Sequence, residues 1–133
     1  MSSEPTPDYH YTLSVLSRAV DALATGRGTL RPRLVSAMTS LMPLNEDDFP
    51  ASLKERFRKL EYECNKGGSK EIHQILYGRV YIGLSGTLLG TIMHMRLKKL
   101  DEMARLLVSL ESELRAELYD SESLQSKRGS DVN

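Results

Sequence analysis

The chain has 133 residues, one cysteine, and 18 basic against 18 acidic side chains. This is the length of one domain, enough for a hydrophobic core without covalent staples, and a lone thiol excludes an internal disulfide. A net charge of zero excludes any general pull towards nucleic acid or an anionic membrane, so either contact would need a local patch.

Residues 1–8 are polar, carry two prolines and read as a flexible leader. Asp8 is placed to cap a helix by accepting from an exposed backbone N–H. Leu13, Leu16, Val20 and Leu23 fall at helical spacing and predict a helix from Tyr9 to Thr25. Gly26 and Gly28 end it. Thr29 and Pro32 suit the start of a second helix, whose inner face is Leu34, Val35, Met38, Leu41 and Met42. Pro43 stops that helix. Leu44 to Pro50 form an acidic connector, with Leu44 and Phe49 positioned to dock on the core.

Leu53, Phe57, Leu60 and Cys64 repeat at intervals of four, three and four, which predicts a third helix over Ala51–Asn65 with one narrow apolar seam. Gly67 and Gly68 end it. Residues 69–91 fit three arrangements. Ile72, Ile75 and Leu76 suit a short helix, capped by Ser69 and ended by Gly78, before an extended crossing. Val80-Tyr81-Ile82 suits a strand and hence a hairpin. The glycines also suit a loose start to the last helix. From about Thr91 to Tyr119 the spacing of Leu100, Met103, Leu107, Leu110 and Leu114 predicts a long helix that forms the spine of the domain. Residues 120–133 lack periodicity and are expected to be a disordered tail.

The pattern excludes several chemistries. His10, His73 and His94 have no metal-ligand spacing, and no Cys-x-x-Cys is present. Gly83-Leu84-Ser85-Gly86 does not meet G-x-S-x-G, and no G-K-[ST] follows the glycines. Glu46-Asp47-Asp48 reads as a solvated lead-in to the third helix. Cys64 continues an apolar seam and reads as a small core residue. No catalytic residue, metal site or cofactor is therefore expected.

The uncharged run Val80–Met95 has 16 residues, short of the roughly 20 that a membrane helix needs. Gly86-x-x-x-Gly90 nonetheless matches a small-residue packing motif. The first apolar run, Leu13–Leu16, is too short for a secretory signal and follows Glu4 and Asp8. A cytoplasmic protein is expected.

Two features point to binding. Arg27, Arg31 and Arg33 surround the start of the second helix, where cations oppose the macrodipole. An anion would resolve the conflict, supplied by nucleic-acid backbone, an acidic partner, or the acids of the last helix (Glu111, Glu113, Glu117, Asp120). The last helix has a wide apolar stripe, and Met93, Leu97, Met103, Leu106 and Leu110 are its candidate interface residues. They serve either the bundle core or a partner surface.

The run Gly26-x-Gly28-x-Leu30-x-x-Arg33-Leu34-x-x-Ala37, then Leu41, Phe49-Pro50, Leu53, Phe57 and a Leu/Ile-rich final helix, resembles a loose group of small bacterial all-helical proteins without an assigned activity. The resemblance covers residues 12–65 and 91–118, with 69–90 as an insertion. It implies an all-helical fold and a bacterial cytosolic setting, and no site residues. The expectation is one all-α domain over residues 9–119. It has four to five mostly antiparallel helices, a long C-terminal helix, and a short extended segment near 79–84. Its expected role is a protein–protein interaction or adaptor module, as a homodimer or with another protein. The alternative is a nucleic-acid-binding accessory protein using the arginine cluster.

Overall fold

The computed structural model describes residues 8–67, 71–76, 79–84 and 87–131. The expected leader, apart from Asp8, lies outside these residues, as do Gly68, Ser69, Gly78 and Gly86. The elements are α1 (Tyr9–Thr25), α2 (Leu30–Ser40), a 3-10 turn (Glu46–Asp48), α3 (Ala51–Asn65), β1 (Glu71–Leu76), β2 (Arg79–Leu84), α4 (Thr87–Met93) and α5 (Leu97–Asp131). The fold is a helical bundle with a long C-terminal helix, and the two strands pair as an antiparallel hairpin.

α1 forms where the sequence predicts it. The Asp8 carboxylate accepts from the N–H groups of His10 and Tyr11 at 3.0 and 3.2 Å, satisfying two of the orphan donors of a helix start. Val15, Leu16, Ala19 and Leu23 bury one face. The chain then turns through Gly28, whose φ of 92° is open to glycine at little cost. α2 returns antiparallel to α1 and ends at Ser40, before Pro43. The connector docks as expected, with Leu44 and Phe49 buried. Phe49 stacks on Phe57 of α3 at a centroid distance of 4.4 Å.

All four seam residues of α3 are buried. The seam faces α5, whose Leu100, Met103, Leu107, Leu110 and Leu114 are fully buried. Polar contacts fix the antiparallel register of α3 and α5: Ser52 with Glu117 at one end, Arg56 with Glu113, and Glu63 with Lys99 at the other. α1 packs on the same helix, with Ser17 against Glu111 and Arg115.

One open alternative is decided and two sequence expectations are corrected. Of the three arrangements allowed for residues 69–91, the hairpin is the one that forms, paired from Glu71↔Leu84 to Leu76↔Arg79. The β-branched and aromatic residues Ile72, Ile75, Val80, Tyr81 and Ile82 suit strands once a partner strand follows closely. The last helix does not begin near Thr91, because α4 ends at Met93 and α5 starts at Leu97. The Ile92 carbonyl, which an uninterrupted helix would give to the N–H of residue 96, instead accepts from Met95 N–H and from Arg31. Finally, α5 continues past Tyr119 to Asp131, where the sequence predicts a tail from 120. A long helix propagates at little cost per residue once nucleated, and Glu, Leu, Gln, Lys and Arg in this stretch are good helix formers. At roughly 1.5 Å per residue α5 is about 50 Å long.

Candidate functional site

The arginine cluster is largely turned inward. Arg31 Nη1 donates to the carbonyls of Ile92 and Met95 at 2.5 and 2.7 Å. Arg33 Nη1 donates to Leu23 O at 3.0 Å, and its Nε to Thr29 O at 3.3 Å. Both guanidinium groups thus meet carbonyls at helix C-termini, of α4 and of α1, where the macrodipole favours a cation. The conflict with α2's own dipole is resolved by neighbouring helices rather than by the acids of α5. Glu111 and Glu113 instead pair with Arg115 and Arg56. Arg27 is exposed and has no hydrogen-bond or ion-pair partner among the described residues.

The candidate interface on the last helix divides. Met103 and Leu110 are fully buried in the bundle and present no surface, which corrects their assignment to an interface. They lie on the stripe that α1 and α3 cover. Leu106 is half-buried at the edge of the core. Met93 and Leu97 flank the break between α4 and α5 and are 50% and 74% exposed.

A wider opening than that break lies elsewhere, among residues that helical spacing assigns to the inner faces of α2 and α3. α2 packs on α1, α4 and α5, and α3 on α4 and α5, yet among the described residues α2 and α3 make no extended contact with each other. Between them runs an open groove of about 640 Å3. Its floor is apolar: Met38, Leu41, Leu44, Phe57 and Leu88. Met42 and Tyr62, 73% and 65% exposed, form its lips. Arg58, Glu61 and Lys66 supply a rim of both signs. Arg58 is tied to Glu46 at 2.9 Å and to Glu55 at 2.6 Å, and its hydrogen bond holds the Glu46 carboxyl below the usual range.

A second cleft, of about 450 Å3, opens where α3, α4 and α5 meet, and Lys66, Gly67, Thr91, His94, Arg96 and Lys99 line it with Glu63. The Glu63 Oε2, itself out of contact with solvent, sits 2.6 Å from Lys66 Nζ and 3.3 Å from Lys99 Nζ. The Lys66 hydrogen bond, assisted by Lys99, holds the Glu63 carboxyl below its usual range against the opposing effect of burial. Lys99 is held above its ordinary value, first by Glu102 and then by Glu63. The cleft is braced by close packing. Gly67 N–H donates to Thr91 Oγ1 at 2.9 Å, and Thr87 Oγ1 donates to Asn65 Oδ1 at 2.9 Å.

Cys64 is fully buried, and burial pushes its thiol up to about 12, which removes the thiolate needed for nucleophilic chemistry at neutral pH. Among the described residues no three His, Cys, Asp or Glu side chains converge as metal ligands. No helix of the described residues is long and apolar enough to cross a membrane. No family model matches the chain, and neither do any curated protein or solved structure.

Proposed function

We propose that this chain is a protein-interaction module, and that the groove between α2 and α3 seats one amphipathic helix of a partner. The observation that carries the proposal is the gap itself. Two neighbouring helices fail to pack on one another and leave a groove whose apolar floor is itself nearly buried, so that the apolar surface it offers is that of Met42 and Tyr62, raised and exposed at its edges. An amphipathic helix laying its apolar face into a hydrophobic groove is a recurrent recognition mode. Methionine adapts its shape to different occupants, and tyrosine offers apolar area at low entropic cost. The mixed-charge rim suits the polar flanks of such a helix, since interfaces join an apolar centre to a polar edge.

Site-specific photo-crosslinking tests this. A photoreactive residue at position 42 or 62 of the full chain is expected to capture an amphipathic segment of one defined protein in native cells. The same group at exposed Lys59, outside the groove, is expected not to. A second copy as the captured chain, with a dimer in sedimentation, would make the module self-associating. Equal capture at 42, 62 and 59 would refute the groove.

A further inference from the structure

The zero net charge conceals a group of exposed cations at one end of the bundle. At one end lie the α1–α2 turn, the end of α3, the break between α4 and α5, and the first turn of α5. Arg31's contacts with Ile92 and Met95 join the first of these to the third. Exposed Arg27, Lys66, Arg96 and Lys98 are all at this end. Glu63, the carboxylate that lines the cleft there, pairs with Lys66 and Lys99, and Lys99 pairs in turn with Glu102, so the cationic excess of this end rests on Arg27, Arg96 and Lys98. The acids Glu46, Asp47 and Asp48 lie at the opposite end, where Arg58 pairs with Glu46 and Lys54 with Asp47. Thr12, in the first turn of α1, donates to Asp48 O at 2.9 Å and fixes that placement.

The basic end also exposes apolar side chains. Leu97 is flanked by Arg96 and Lys98, and Met93 lies just before His94; both are exposed. The hairpin rises from the same place by chain connectivity. β1 starts four residues after Gly67, which contacts Thr91, and β2 ends three residues before Thr87, which contacts Asn65. Its strands read EIHQIL and RVYIGL, with Glu71 and Arg79 as their charged residues. Among the described residues the strands pair extensively with each other and no helix packs extensively on them. A two-stranded hairpin on its own is marginal in water and needs a further surface.

We infer that the basic end of the bundle, with its apolar hairpin, docks on the surface of an anionic lipid bilayer. The cations meet lipid phosphates while Leu97, Met93 and the hairpin enter the headgroup region. This is peripheral contact, and it requires no spanning helix. Charge complementarity selects the anionic surface. The exposed aliphatic residues among the cations favour a bilayer over nucleic acid, because phosphate backbone offers them no apolar environment.

Vesicle flotation of the full chain, with phosphatidylcholine alone or mixed with phosphatidylserine, tests the inference. Binding to the anionic vesicles, weakening with salt, is expected, and none to the neutral ones. A cation near such a surface is worth roughly fivefold in binding. Reversing both Arg96→Glu and Lys98→Glu should therefore weaken it by about two orders of magnitude or more. Leu97→Gln, at a site already exposed, should weaken it several-fold with an unchanged circular dichroism spectrum. The chain has no tryptophan, so Tyr81→Trp provides a single reporter in β2. Its emission should shift to the blue on anionic vesicles. Any of four results would overturn the inference: no flotation at low salt, equal binding to neutral vesicles, indifference to both surface variants, or an unmoved tryptophan emission from the bound Tyr81→Trp variant. Salt-sensitive binding to duplex DNA without vesicle binding would reassign the cations, and a lipid-free dimer joined through the strand edges would reassign the hairpin. Either outcome would also overturn it.

Discussion

Replacing Arg31 separates two roles for the arginine cluster. Its Nη1 makes two charge-assisted hydrogen bonds to α4 and the residues just after it, and such bonds contribute roughly 1.5–3 kcal/mol each when shielded from water. Arg31 is half-buried and helix-end carbonyls can turn to solvent, so the expected cost of Arg31→Met is about 2 kcal/mol in all. With an unfolding entropy of roughly 2 cal/mol/K per residue, a loss of that size lowers the melting temperature by about 7 °C. Arg27→Met, at an exposed arginine without a partner among the described residues, should change stability by less than about 0.5 kcal/mol. Arg31→Lys should recover less than half of the loss, because the lysine ammonium ends one bond short of Nη1, the single nitrogen that reaches both carbonyls, and is more strongly hydrated. Thermal and urea unfolding followed by far-ultraviolet circular dichroism measure all three. If Arg31→Met and Arg27→Met melt together near the parent, the carbonyl contacts carry no stability. The guanidinium group would then be free for an external anion.

Gly67→Ala is expected to destabilise by about 1–3 kcal/mol. The new Cβ would stand 3.0 Å from Thr91 Oγ1 and 3.2 Å from its Cα, and urea midpoints should show this at an unchanged slope. Cys64 should resist a thiol reagent such as Ellman's reagent in the folded protein at pH 8 and react fully in denaturant, because burial holds its thiol at about 12. Its folded value lies above its unfolded one, so the native state retains a proton that the unfolded chain releases. Stability should therefore fall as the pH rises from about 9 to 12, and Cys64→Ala should flatten that limb. Glu63 behaves in the opposite sense. Its carboxyl is held low by Lys66 and Lys99, so its contribution is present above the ordinary carboxylate range and lost as the pH falls through the folded value. Glu63→Gln should remove that part of the acid transition in a pH titration of the melting temperature.

The elements that the sequence displays are those whose signal is local. The cap at Asp8, the glycines after Thr25, the Leu53–Phe57–Leu60–Cys64 seam and the Leu100–Leu114 stripe each depend on spacing within one helix. Each appears where periodicity places it. The stripe of α5 shows how far such reading extends. Its period identifies Met103 and Leu110 as apolar-face residues but does not say what covers that face, and here α1 and α3 do so. The hairpin is one of three arrangements that the sequence allows, because each strand is too short and too mixed to declare a period alone. Its register depends on the partner strand. The extension of α5 beyond Tyr119 is not legible because a polar run without periodicity reads as tail, although its residues tolerate a helix.

The sequence by itself determined that this is a helical domain with a long final helix, because hydrophobic period, caps and breakers act over a few residues. It also contained every residue of the α2–α3 groove and of the basic end, without indicating that they meet. Tertiary structure decided those features. Whether α2 touches α3, whether Arg31 faces solvent or the carbonyls of Ile92 and Met95, and which exposed cations gather at one end all depend on contacts between residues tens of positions apart. Such contacts are fixed by how whole faces pack, and no periodicity within one element encodes them.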